Sequence, residues 1–115
     1  MKTIILTLFV IFLASCSKYD QNVIIDNVSE SQAIKLTNNK KGNVHSINIR
    51  FSGHIQGNAQ VQLMLNGNPY KTENIKGKVH LKWGGDWYSD NAIIKYTATN
   101  VTNGKILIEY KFETI

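Results

Sequence analysis

From residue 23 to the end of the chain, apolar and polar side chains alternate with a period of two, and helical periodicity is hard to find. Residues 23–28 and 33–37 form two short β-prone runs. Residues 38–43 (NNKKGN) are a turn cluster, after which 44–55 alternate over a long stretch. Ile47, Ile49, Phe51 and Ile55 share one face there, against Ser46, Asn48, Arg50, Ser52 and His54 on the other. Gly53 within that run marks a bulge or a close backbone approach.

Gly57-Asn58 is expected to turn the chain into a strand over 59–65, with Ala59, Val61, Leu63 and Leu65 inward and Gln60, Gln62 and Met64 outward. Asn66-Gly67 supplies the positive φ that a tight hairpin requires. Residues 70–76 are ambiguous between strand and loop. Val79, Leu81 and Trp83 then alternate with Lys78, His80 and Lys82. Residues 84–91 (GGDWYSDN) read as a connecting loop, 92–99 as a strand, and 101–104 as a turn. Residues 105–112 close the pattern, with Ile106, Ile108, Tyr110 and Phe112 inward.

This pattern predicts an all-β fold, a single antiparallel β-sandwich of about seven or eight strands, jelly-roll or immunoglobulin-like in type. The Cys–Trp–Cys signature of a true immunoglobulin domain is missing, and a closed barrel is the alternative. Clean in/out alternation argues against a buried parallel sheet.

The first fifteen residues obey a different rule. Met1-Lys2 is a short positive start, residues 3–13 are apolar apart from Thr3 and Thr7, and Ala14-Ser15 are small. That layout is a secretory signal segment. Eleven apolar residues fall short of the roughly 20 that cross a bilayer core as a helix. A soluble secreted protein cut after Ser15 is the other alternative. The chain has a single cysteine, Cys16, and an unpaired thiol in an oxidising compartment needs a reason.

Leu13-Ala14-Ser15-Cys16 resembles the lipobox of bacterial lipoproteins. The resemblance implies a signal peptide over 1–15, diacylglycerol on the thiol of Cys16, usually a further acyl chain on its amine, and a membrane anchor as partner. More than one chain suffices for stable anchoring. Residues 16–22 are then a lipidated tether and 23–115 the β domain. Ser17, where an Asp would favour the inner membrane, points by the same resemblance to the outer membrane of a diderm bacterium, with the leaflet left open.

Charge and chemistry narrow the rest mainly by exclusion. The chain carries 13 basic and 8 acidic residues; losing residues 1–15 removes only Lys2, leaving a mature balance of +4. Arg50 is the only arginine, although guanidinium forks are the favoured tool for phosphates and bases, so nucleic acid is not an expected partner. No GxSxG, SxxK, HExxH or phosphate-binding glycine loop occurs, and His45, His54 and His80 are scattered. No enzyme activity, cofactor or metal is expected. The stripe Lys76, Lys78, His80, Lys82 fits an anionic glycan or a membrane surface, but such a stripe is more often a solvated face or an aggregation-blocking edge.

The candidate ligand-binding residues lie in the 84–91 loop. Trp87 and Tyr88 offer flat faces for a sugar ring, and Asp86, Asp90 and Asn91 offer hydrogen bonds to hydroxyls, in the manner of β-sandwich carbohydrate-binding modules. The bland reading is that an aromatic folds back to plug the end of the fold. The expected function is a membrane-anchored envelope module that binds without catalysis, glycan being one ligand. The alternatives are a protein-binding inhibitor or immunity-type lipoprotein, with Arg50 and Met64 on its contact face, or an envelope assembly factor.

Overall fold

The structure, a computed structural model, describes residues 18–115. The signal segment and Cys16 lie outside the described residues. Six strands follow in order: β1 (Gln21–Ile24), β2 (Gln32–Thr37), β3 (Val44–Leu65), β4 (Asn68–Asp86), β5 (Asn91–Ala98) and β6 (Asn103–Thr114). All pairings are antiparallel, and no helix occurs among the described residues.

The count is six, not seven or eight, because two of the expected breaks are absent. Gly57-Asn58 does not end a strand: β3 runs through it for 22 residues. Residues 70–76, ambiguous in sequence, belong to the same 19-residue strand as 78–86; 71–76 pair with β3, and Tyr70 is the extra residue between the Leu63–Lys71 and Met64–Pro69 pairs. The ladder also reaches back to Gln21 and Asn22, expected in the tether, which pair with Tyr110 and Glu109.

β3 organises the sheet. One of its edges pairs with β4 along almost its whole length; the other pairs with β6 over its first half and β5 over its second. The curled sheet therefore has two arms. The first holds β1, β6, the start of β3 and the end of β4; the second holds β2, β5, the end of β3 and the start of β4.

The corner between the arms has an identifiable cause. Ile55 pairs with Gly77 and Asn58 with Lys76, so Gln56 and Gly57 are extra residues on β3, a bulge that bends the strand. The β5–β6 link crosses the same corner and satisfies its backbone: Thr99 N–H and Thr102 N–H donate to the carbonyls of Asn58 and Gln56 (both 2.9 Å), and Asn58 N–H donates to Asn100 Oδ1 at 2.6 Å.

The inward positions form one core. Ile47, Ile49, Phe51, Ile55, Val61, Leu63, Ile94, Tyr96, Ile106, Ile108 and Phe112 are all buried, as the alternation predicts. Tyr96 is accommodated because its hydroxyl donates to the Val28 carbonyl at 2.6 Å. Desolvation pushes its phenol above the ordinary value of 10.0. The free edges β1 and β2 are joined by side chains, with Gln21 Nε2 donating to the Thr37 carbonyl at 2.9 Å. Lys40 adds a link from the 38–43 turn, pairing with Asp20 at 2.8 Å and donating to the Phe112 carbonyl at 2.6 Å.

Candidate functional site

The β3–β4 hairpin tip is built from sequence in the simplest way. Asn66 and Gly67, at φ 53° and 83°, form a two-residue loop with both residues in the left-handed region. The corner then swings this tip round to the β4–β5 loop. Tyr70 near the start of β4 and Trp87 just past its end have ring centroids 6.4 Å apart.

Between the two lies an open cleft of about 380 Å³, lined by Leu65, Asn66, Tyr70, Asp86, Trp87, Tyr88 and Ser89. Tyr88 is 77% exposed and Tyr70 51% exposed, so both present ring surface to solvent. Leu65, expected inward, is instead an exposed apolar side chain on the rim. Asp86 and Ser89 contribute oxygen at the β4–β5 side, and Asn66 an amide at the hairpin side. Aromatic and apolar lining with a few polar groups is the composition of a small-ligand site.

The expected site residues divide. Tyr88 and Asp86 are brought to the cleft together. Trp87 is not a stacking platform: it is only 5% exposed, its N–H donates to the His45 carbonyl at 3.2 Å, and its indole Nε1–H donates to the Asn91 carbonyl at 2.9 Å. It plugs the end of the core and shows the cleft only part of its surface. Asp90 and Asn91 do not line the cleft either. Asp90 Oδ1 accepts from Asn38 Nδ2 at 3.0 Å, and Asn91 Oδ1 accepts from Thr37 Oγ1 at 3.2 Å, so both are occupied in tying the loop to β2 and its turn. The loop is also shorter than expected, because β4 continues through Gly84 and Gly85 to Asp86.

Leu65, Asn66, Tyr70 and Ser89 line the cleft without being among the expected ligand-binding residues. Tyr70 sits in the stretch without alternation, and only the corner reveals that it faces Trp87.

Elsewhere, an apolar groove of about 450 Å³ runs over the outer side of the second arm, where Ala33, Met64 and Ile93 meet. Arg50 and Met64 lie on the outer faces of different arms and share no patch. Among the described residues no three His, Cys, Asp or Glu gather as a metal site requires, and no helix is long and apolar enough to cross a membrane.

No protein-family model matches the chain, and no curated protein matches it. It is loosely similar to a solved structure described as "CBM4 structure and function", at 11% identity and a TM-score of 0.40, over 72% of this chain. The chain spans 59% of the length of that structure. A likeness this loose fixes neither a fold nor a ligand.

Proposed function

We propose that the protein is a lipid-anchored envelope module, a β-sandwich whose layers are the two arms, that binds glycan without catalysis in the Tyr70–Tyr88 cleft. The cleft supports this reading: two solvent-facing phenol rings flank a depression that has carboxylate, hydroxyl and amide groups on its rim. Sugars offer an apolar ring face and a girdle of hydroxyls, and such a site meets both. Cys16 carries the acyl chains, residues 1–15 are removed, and the outer membrane is the address.

Affinity electrophoresis through gels containing soluble polysaccharides tests the site. Retardation of the wild type should disappear in Tyr70→Ala and Tyr88→Ala, with unchanged circular dichroism and Tm. Retardation that survives in both variants removes the cleft as the site.

A protein partner is the second reading, favoured by the apolar groove around Ala33, Met64 and Ile93. Met64→Lys should then abolish capture of that partner and leave polysaccharide retardation untouched.

A further inference from the structure

The outer face of the first arm differs in character from the rest of the surface. Cross-strand pairing sets its rows: Lys78 beside His54 and Lys105, His80 beside Ser52 and Leu107, Lys82 beside Arg50 and Glu109. Lys78, His80, Lys82 and Lys105 are all exposed. The nearby acid, Glu109, is engaged by Arg50 at 2.7 Å and 2.9 Å. Asp86 and Glu113 lie in the row of Ser46, at the end opposite Lys78 and Lys105. Asp26, next after Ile25, whose N–H donates to the Ile106 carbonyl, is an exposed acid on the β1 side of the Lys105 row, so basic side chains outnumber acids on this face without excluding them.

The same face holds apolar surface and receives the chain's amino-terminal end. Ile24, beside Leu107 in the ladder, is 48% exposed. The ring of Tyr19 lies 4.7 Å from the Arg50 guanidinium, which fixes where the chain joins the fold. Cys16 precedes Tyr19 by three residues, so covalent geometry holds its sulfur-bearing residue within about 11 Å of Tyr19.

We infer that this face is a membrane-docking surface, whose lysines bind anionic lipid headgroups once Cys16 is acylated. The inference rests on the lipoprotein reading above. Acyl chains rooted this close to Tyr19 allow the basic face to settle onto the headgroups, into the range of about a Debye length over which lysine–lipid attraction operates. Ile24, Leu107 and Tyr19 then meet the interfacial zone, and the protein is held in one orientation instead of swinging on its tether.

The test uses the full chain, made with labelled palmitate in a lipoprotein-processing host and added to preformed vesicles. Amine-reactive labelling is read at each lysine by mass spectrometry, on phosphatidylcholine alone and with about one third phosphatidylglycerol. On the anionic vesicles Lys78, Lys82 and Lys105 should be protected roughly fivefold, and this should vanish in high salt. Lys35 and Lys95, on the second arm, should label equally on both. The double variant Lys78→Glu/Lys105→Glu should lose protection at Lys82 and keep its palmitate. Palmitate label that is missing from the wild type, or retained in Cys16→Ala, overturns the anchor and the docking with it. Label present with equal reactivity of all five lysines on both vesicle types overturns the docking alone.

Discussion

Tyr70 and Trp87 stand at opposite ends of one continuous strand segment, yet their rings lie 6.4 Å apart. Seventeen residues of straight strand would separate them by about 56 Å. β4 is therefore folded back at Gly77, in step with the bulge at Gln56-Gly57 on β3. The cleft exists because of that fold-back: one wall comes from the hairpin tip and the other from the β4–β5 loop. Site and corner are linked, and a change at the corner should reach the cleft.

Trp87 and Tyr88, adjacent in sequence, should behave as different kinds of residue. Trp87→Ala removes a buried indole and leaves the Asn91 carbonyl without its donor, and should cost about 3–5 kcal/mol. Tyr88→Ala should change stability by less than about 0.5 kcal/mol, as for an exposed side chain. Urea unfolding followed by circular dichroism measures both. Similar midpoints for the two variants would show that Trp87 does not plug the core.

Gly57 is tightly constrained at the corner. Its φ is +122°, and a Cβ there would lie 2.3 Å from the Asn100 carbonyl oxygen. Both the backbone conformation and the close approach of the β5–β6 link therefore demand glycine. Gly57→Ala should destabilise by about 2–4 kcal/mol and weaken ligand retardation in whatever fraction folds. Gly77→Asn is the control: φ there is +61°, which Asn tolerates, and no atom lies within 4 Å of the added Cβ. It should cost under about 1 kcal/mol. Equal losses in thermal melts of the two variants would mean that the crowding at Gly57 is relieved cheaply.

Much of this fold is legible in the sequence because burial here follows parity. The inward sets Ile47-Ile49-Phe51-Ile55 and Ile106-Ile108-Tyr110-Phe112 are read directly from alternation. Asn66-Gly67 is equally direct, since its geometry is a property of two residues. Gly57-Asn58 misleads because glycine beside asparagine signals a positive φ, which a turn and a bulge share. Its meaning is decided by Asn100 and Thr102, more than 40 residues later. Tyr70 is invisible for the same reason, as its place at the cleft depends on the corner. Trp87 and Tyr88 carry no local sign of which one faces inward; the His45 and Asn91 carbonyls settle it.

Tyr96 gives the fold an alkaline sensitivity with a definite sign. Burial raises its pKa above 10.0, so above that pH the folded state holds a proton that the unfolded chain has released. The stabilisation is complete below pH 10 and is lost as pH rises from there through the folded-state value. Tyr110 acts in the same direction, raised first by desolvation. Tyr96→Phe should cost about 1–3 kcal/mol at neutral pH, because the Val28 carbonyl loses its buried partner. The same variant should show a shallower fall of Tm between pH 9.5 and 11.5, as one of the two raised phenols is gone. Calorimetry of both proteins across that range measures the two effects together. Parallel curves, offset by a constant Tm, would assign the alkaline loss to groups other than Tyr96.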